Sequence, residues 1–162
     1  MTATPLSMHV MENMSLKETG LVLQFHVVAM FLPSLITGNL IKKYGHSAII
    51  YGGVLFFFIT VLLSLFEQTY LNYMLSLIFL GLGWNFLFIS GTSLVVLTYN
   101  KEEKFKVQGI NDLIVFSTMA LASLSAGILL NSIGWKMMNI ICIPFLILII
   151  LVSFVADKKS AS

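Results

Sequence analysis

A short basic turn at residues 38–47 lies between two long stretches that contain no Asp, Glu, Lys or Arg. These uncharged stretches, 19–41 and 44–66, are each 23 residues long. As an α-helix, such a stretch extends roughly 35 Å, enough to cross a hydrocarbon core about 30 Å thick. The sequence therefore predicts two membrane-spanning helices joined by a tight turn, with Lys42 and Lys43 where the chain leaves the lipid.

The composition extends this prediction to the rest of the chain. Only 10% of the 162 residues are charged, 58% are hydrophobic, and the mean hydropathy is +0.97. A soluble domain carries about 25% charged residues. Residues 1–162 are therefore predicted to form a single transmembrane domain whose main partner is the lipid bilayer.

Charged residues divide the sequence into five apolar runs. Closed β-barrels require alternating polarity along each strand, and a run such as Val-Leu-Phe-Phe-Phe-Ile at 54–59 does not alternate. An all-α membrane protein with five transmembrane helices is therefore predicted. The predicted spans cover about 20–41, 47–66, 71–98, 108–133 and 136–156.

The distribution of lysines predicts the orientation of these five spans. Seven lysines fall on the side of the 38–47 turn and two on the other side, and cytoplasmic loops carry the excess of basic residues. The N-terminus is therefore predicted outside and the C-terminus in the cytoplasm, in the cell (inner) membrane. The seven are Lys42, Lys43, Lys101, Lys104, Lys106, Lys158 and Lys159, and the two are Lys17 and Lys136.

Two loop motifs lie on the same predicted side of the membrane, two spans apart. The first, at 38–47, reads Gly-x-Leu-x-x-basic-x-Gly-basic, and the second, at 102–109, reads Glu-Glu-Lys-Phe-Lys-Val-Gln-Gly. They resemble the loops after the second and fourth helices of each six-helix half in the major facilitator superfamily. Residues 81–88 resemble the tenth helix of a bacterial branch of that family, and residues 4–9 resemble the end of its seventh helix.

The resemblance implies five helices of a major-facilitator half-bundle, running from late in helix seven to helix twelve. It also implies a secondary transporter for a small-molecule substrate, working by alternating access. Such a half needs a missing N-terminal half or a second copy as its partner. The family's first loop has an Asp where this chain has Lys42, which weakens the case for a gating ion pair there. The alternative function is a small membrane scaffold, or a partner-binding subunit without transport activity.

Three side chains inside the spans are candidates for the substrate pathway, namely His26, Trp84 and Asn85. An ionisable group such as His26 is costly in lipid and usually faces protein or water. His26 either contacts substrate or a proton, or it is a neutral residue that bonds to a neighbouring helix or lies close to the outer surface. Asn85 beside Trp84 offers a polar and aromatic substrate contact, because the family's tenth helix lines the central cavity. Packing, with Asn85 as an interhelical hydrogen-bonding residue, is the other interpretation.

Five residues are candidates for the cytoplasmic loops and gating. Gly38 is predicted to allow close approach at a helix end, and Gly45 to supply backbone freedom for the turn. Asp112 near the start of the fourth helix either complements the helix dipole or contributes to closing the cytoplasmic side. The five candidates are Gly38, Lys43, Gly45, Lys106 and Asp112.

Other function classes find no support in the sequence. We find no phosphate-binding loop, nucleophile elbow, zinc-protease helix or cysteine cluster, so no enzyme activity, cofactor or metal is predicted. The charged run at 102–106 is too short and too mixed in sign for a nucleic-acid site.

Overall fold

The computed structural model describes residues 2–160, with side chains described for residues 2–158. Within that range the chain is helical and contains no strand, which confirms the predicted all-α class. A π-helical turn at Leu6–Met11 follows α1, and a 3₁₀ turn at Lys101–Glu103 precedes α6. The α-helices are α1 (Ala3–Pro5), α2 (Leu16–Phe31), α3 (Ser34–Tyr44), α4 (His46–Leu65), α5 (Tyr70–Val96), α6 (Lys104–Ile140) and α7 (Ile143–Ser160).

The first predicted span consists of two helices, α2 and α3, with a bend of 40° between them. Ser15 and Glu18 form a capping box that begins α2 by satisfying free backbone N–H groups. Pro33 lies at the break, because its ring removes one N–H donor and disfavours continuation of the helix before it. The stretch 20–41, which was predicted to form a single helix, is therefore interrupted by a break at residues 32–33.

The second half of the chain contains two breaks, one at the boundary predicted between the spans 108–133 and 136–156 and one inside the last predicted span. Gly134 has φ 76° and ψ 171°, which interrupts α6, and a turn at Ile141–Cys142 separates α6 from α7. The last turn of α7 contacts the first turn of α4, while Leu146 and Phe57 line a shared groove farther along. The helices α4 and α7 therefore run antiparallel.

Hydropathy and length identify three helical stretches able to cross a membrane, or four when α2 and α3 count as one broken span. One of them, Lys101–Lys158, is 58 residues long and contains the Gly134 break. At about 1.5 Å per residue it is far longer than one crossing requires. The division into five spans remains a prediction.

The central element of the bundle is α5, which packs against α2 on one side and α4 on the other. A Cβ atom added at Gly81 would lie 2.8 Å from the His26 carbonyl oxygen, and one at Gly83 would lie 2.9 Å from the Gly53 carbonyl oxygen. Small residues allow helix backbones to approach this closely in a membrane, where packing rather than hydrophobicity joins helices. Gly81 thus allows the close approach of α5 to α2, and Gly83 with Gly53 allows its close approach to α4.

At the predicted outer end, the segment before α2 packs into the bundle. Met8, Val22, Tyr73 and Leu77 form the buried core there, and the Ser7 hydroxyl lies 2.6 Å from the Tyr73 hydroxyl. The Tyr73 ring meets an aromatic ring from beyond the Gly134 break, Trp135, edge to face at 5.1 Å. The segment around Ser7 and Met8 is therefore part of the folded bundle.

Candidate functional site

A cavity of about 290 Å³ lies between α5, the α2–α3 break and α6. Its wall on α5 contains Trp84 and Phe88, whose rings stack with 5.5 Å between centroids and an interplanar angle of 13°. The two residues are four apart, so they lie on the same face of the helix. The full lining consists of Met30, Phe31, Ser34, Trp84, Asn85, Phe88, Ile89, Phe116 and Met119.

Asn85 also lines this cavity, but its amide is already hydrogen-bonded to the broken helix. Its Nδ2 donates to the Met30 carbonyl oxygen at 2.7 Å, and its Oδ1 accepts from Thr37 Oγ1 at 2.7 Å. Asn85 is 3% exposed and Thr37 is fully buried. The side chain therefore combines an interhelical bond with a position at the cavity wall, and a contact between Asn85 and substrate stays a prediction.

His26 lies outside the cavity, in the interface between α2 and α5. Its Nδ1 is 2.7 Å from the Leu77 carbonyl oxygen, and the side chain is 3% exposed. Because a membrane offers no water to replace a lost partner, this bond satisfies a polar group that would otherwise be costly. Of the three predicted pathway residues, the structure brings Trp84 and Asn85 together and places His26 on the packed side of the bundle. A direct contact between His26 and substrate stays a prediction.

The turn between α3 and α4 depends on a glycine. Gly45 has φ 84° and ψ 164°, a backbone conformation that is essentially restricted to glycine. Lys43 is exposed, with its Nζ 4.9 Å from the centre of the Tyr44 ring. At Gly38 a Cβ atom would meet nothing within 4 Å, so the close approach predicted there is not made within residues 2–160.

The second loop is exposed on the same end of the bundle. Lys106 and Asp112 both lie on the exposed side of the first turns of α6. The Asp112 carboxylate accepts a hydrogen bond from Asn111 Nδ2 at 3.3 Å. The loop is joined to α6 through Gln108, whose Nε2 donates to the Tyr99 hydroxyl at 2.6 Å.

A family comparison fits this arrangement of helices, cavity and loops. The profile of the Major Facilitator Superfamily matches residues 1–162. The chain belongs to the major facilitator superfamily. It is therefore a multi-pass membrane protein of a family of transporters, not of enzymes.

Individual relatives within the major facilitator superfamily support the same assignment. The chain is 39% identical over 150 residues to the riboflavin transporter RfnT of Brucella anthropi, covering 93% of this chain and 37% of that protein. It is 31% identical over 143 residues to the uncharacterized MFS-type transporter YdeG of Bacillus subtilis, covering 87% of this chain and 33% of that protein. It is 30% identical over 143 residues to the uncharacterized MFS-type transporter YddS of the same organism, covering 86% of this chain and 32% of that protein. The chain thus spans about a third of each relative's length. No solved structure matches it significantly.

One polar cluster at the loop end of this superfamily member was missed by the sequence analysis. Asp157, near the end of α7, accepts hydrogen bonds from Ser47 Oγ and, at 3.1 Å, from the Tyr51 hydroxyl. His46 Nε2 lies 3.0 Å from Ser93 Oγ. Together these contacts connect the start of α4 to the ends of α5 and α7. The only available signal was the Ser-x-x-x-Tyr spacing at 47–51, which places both hydroxyls on one helix face.

Metal coordination finds no support in the part of the chain that the structure describes. Within it, no three His, Cys, Asp or Glu side chains lie close enough together to hold a metal ion. The chemistry offered by the cavity is therefore that of aromatic stacking, apolar contact and a few hydrogen bonds.

Proposed function

We propose that this chain is the C-terminal half of a secondary transporter that carries a small, planar aromatic solute across the cell membrane. The observation that carries the proposal is the cavity in which the stacked rings of Trp84 and Phe88 form one wall. Aromatic side chains favour offset-stacked partners at this separation, so a flat ring system extends the stack with little rearrangement. Asn85 and Ser34 supply the polar groups at its edge.

The relative from Brucella anthropi favours a flavin as the solute. That protein is named as a riboflavin transporter, and it shares 39% identity with this chain. Riboflavin carries a flat fused ring with a polar edge and a hydroxylated tail, which matches an aromatic wall bordered by amide and hydroxyl groups. Riboflavin is therefore the first solute to test.

A facing half would complete the site. The cavity of about 290 Å³ is at the lower limit of the about 300–1,000 Å³ typical of ligand pockets. It lies beside α6, whose residues 104–129 are exposed or half-buried. We propose that the missing N-terminal half, or a second copy of this chain, covers α6 and supplies the opposite wall. Alternating access then moves the two halves around a solute held between them.

Tryptophan fluorescence tests the solute site on the purified chain in detergent. The chain has two tryptophans, which makes a matched pair of variants possible. The Trp135→Phe variant retains only Trp84, and riboflavin is expected to quench it saturably. The Trp84→Phe variant retains only Trp135, which lies against Tyr73 away from the cavity, and its quenching is expected to be weak and linear. Equal quenching curves for the two variants would contradict the proposed site.

Uptake tests the transport step itself. Cells that depend on external riboflavin would express the chain together with the N-terminal half of a homologous transporter. Saturable uptake is expected for the parent sequence, with a loss of about fivefold or more for Trp84→Ala, because removing a stacking ring costs roughly 1–3 kcal/mol. Uptake unaffected by Trp84→Ala would place the solute elsewhere.

The orientation is proposed from the lysine distribution, with the N-terminus outside and the C-terminus in the cytoplasm. On this view Gly38, Lys43, Gly45, Lys106 and Asp112 belong to the cytoplasmic side that closes during transport. Single cysteines at Lys101 and Gln68, in a Cys142→Ser background, report the two ends of the bundle. An impermeant thiol reagent on intact cells is expected to label Gln68→Cys and not Lys101→Cys. The reverse pattern would invert the orientation.

A further inference from the structure

The break between α2 and α3 leaves a backbone carbonyl that is satisfied from another helix. Pro33 has no N–H to donate to the Ala29 carbonyl, and the described backbone bonds around the resulting break end on Val28, Leu32 and Pro33 rather than on Met30. The Met30 oxygen instead accepts from Asn85 Nδ2 at 2.7 Å. A side chain on α5 therefore supplies the donor that the helix itself does not provide.

The other end of the same amide is bonded to α3. Thr37 Oγ1 donates to Asn85 Oδ1 at 2.7 Å and also lies 2.8 Å from the Pro33 carbonyl oxygen. Asn85 thus contacts the last turn of α2 with its nitrogen and the first turn of α3 with its oxygen. One buried side chain connects both sides of the 40° bend.

The two sides of the bend are held to α5 very differently. On the α2 side, His26 bonds to the Leu77 carbonyl, and Gly81 allows the backbones to touch. On the α3 side only Thr37 and Ile41 are buried, and Leu35 is 77% exposed. The α2 segment is therefore fixed against α5, whereas α3 is held less closely by α5 and also contacts α4.

We propose that Asn85 is a positioning residue that locks α3 at its bend, and that release of its bond to Thr37 lets α3 swing about Pro33. The swing is connected to the solute site because Ser34 and Asn85 line the same cavity as Trp84. At its far end, α3 leads directly into the Gly45 turn. This inference goes beyond the identity of the solute, since the bend and its lock exist whatever is transported.

The size of the expected movement makes it measurable. The 11 residues of α3 are about 16 Å long at about 1.5 Å per residue. A swing of roughly 15° would move the far end by roughly 4 Å. Asn39 lies about 9 Å along α3 from Pro33, so the same swing would move it by roughly 2 Å. Spin labels at Asn39→Cys in α3 and Val96→Cys in α5 report this displacement, in a Cys142→Ser background in lipid nanodiscs. A reference pair, Phe25→Cys and Val96→Cys, reports the fixed α2 segment.

The decisive variant is Thr37→Val, which keeps the shape of the side chain and removes the hydroxyl. We expect the 39–96 distance distribution to broaden or shift by roughly 2 Å, while the 25–96 distribution stays narrow. Thr37→Ser keeps the hydroxyl and should restore the narrow 39–96 distribution. Asn85→Leu should reproduce the Thr37→Val result with a larger spread.

Two outcomes would overturn the inference. An unchanged 39–96 distribution in Thr37→Val would show that the bond does not hold α3. Broadening of both the 39–96 and the 25–96 distance distributions would show that the substitution loosens the whole bundle. The hydroxyl of Thr37 would then have a general packing role and would not selectively lock α3. Neither label pair reports solute binding, so this result is independent of whether the fluorescence titration with riboflavin succeeds.

Discussion

The helices α5 and α6 are both long and apolar, yet α5 is packed between other helices whereas α6 is largely exposed. A third of the most apolar window of α5 is buried, compared with 6% for the stretch that contains α6. On α5, glycines and polar side chains face neighbouring helices, as at Gly81 and Asn85. Among the described residues of α6, Leu130 is the only one that is buried. Hydropathy identifies a membrane helix but does not decide whether protein or lipid surrounds it.

The polar residues of α6 make its exposure informative. Thr118 and Ser125 bond back to carbonyl oxygens of their own helix, while the Ser123 hydroxyl lies 2.6 Å from the Thr2 hydroxyl. The exposed surface of α6 also carries large apolar side chains, such as Leu121 and Leu124, which suit a lipid-facing surface. Its small and polar residues are of the kind that suits a packed helix face, and these favour the facing half proposed above.

The largest expected effect comes from the same substitution placed on each helix. Leu77→Ala on α5 removes a side chain that is 1% exposed, and should lower the free energy of unfolding by about 2–4 kcal/mol. Leu124→Ala on α6 removes one that is 77% exposed, and should change it by less than about 0.5 kcal/mol. Unfolding of the chain in bicelles measures both. Similar losses would mean that α6 is packed in the isolated chain after all.

A smaller effect is expected from two glycines of α5 itself. Gly81→Ala places a Cβ 2.8 Å from the His26 carbonyl oxygen, where backbone has to shift, and should cost about 1–3 kcal/mol. Gly91→Ala is the matched control, because its Cβ meets nothing within 4 Å and Ala is the better helix former. Thermal unfolding followed by circular dichroism compares them. A Gly81→Ala variant as stable as Gly91→Ala would refute the close contact between α2 and α5.

The smallest effect concerns His26 and separates its two interpretations. His26→Leu removes the bond to the Leu77 carbonyl and should cost about 0.6–1.7 kcal/mol of stability, as for hydrogen bonds between membrane helices. If His26 only packs, riboflavin quenching of Trp84 should keep its midpoint. A midpoint raised tenfold with unchanged stability would instead assign His26 to the substrate pathway.

The sequence predicted the helical class, the family and the basic turn because each depends on local pattern. Runs without charge specify membrane helices whatever their neighbours, and Gly45 was expected to adopt a conformation that other residues avoid. The sequence could not predict whether His26 points towards the cavity or towards α5, because this depends on how α2 packs against its neighbours and not on local pattern. Gly134 falls between the predicted spans 108–133 and 136–156, whereas the turn at Ile141–Cys142 lies inside an uncharged run, where charge placement marks no boundary.

The hydrogen bonds of Asp157 have a practical consequence for anyone engineering this chain. An acidic residue at the end of the last apolar run resembles a dispensable boundary marker, and designers often trim or extend a protein there. Here its carboxylate joins the last helix to Ser47 and Tyr51, beside the turn at Gly45. Affinity tags and fluorescent fusions are therefore best attached after this residue, with a spacer that leaves the junction undisturbed.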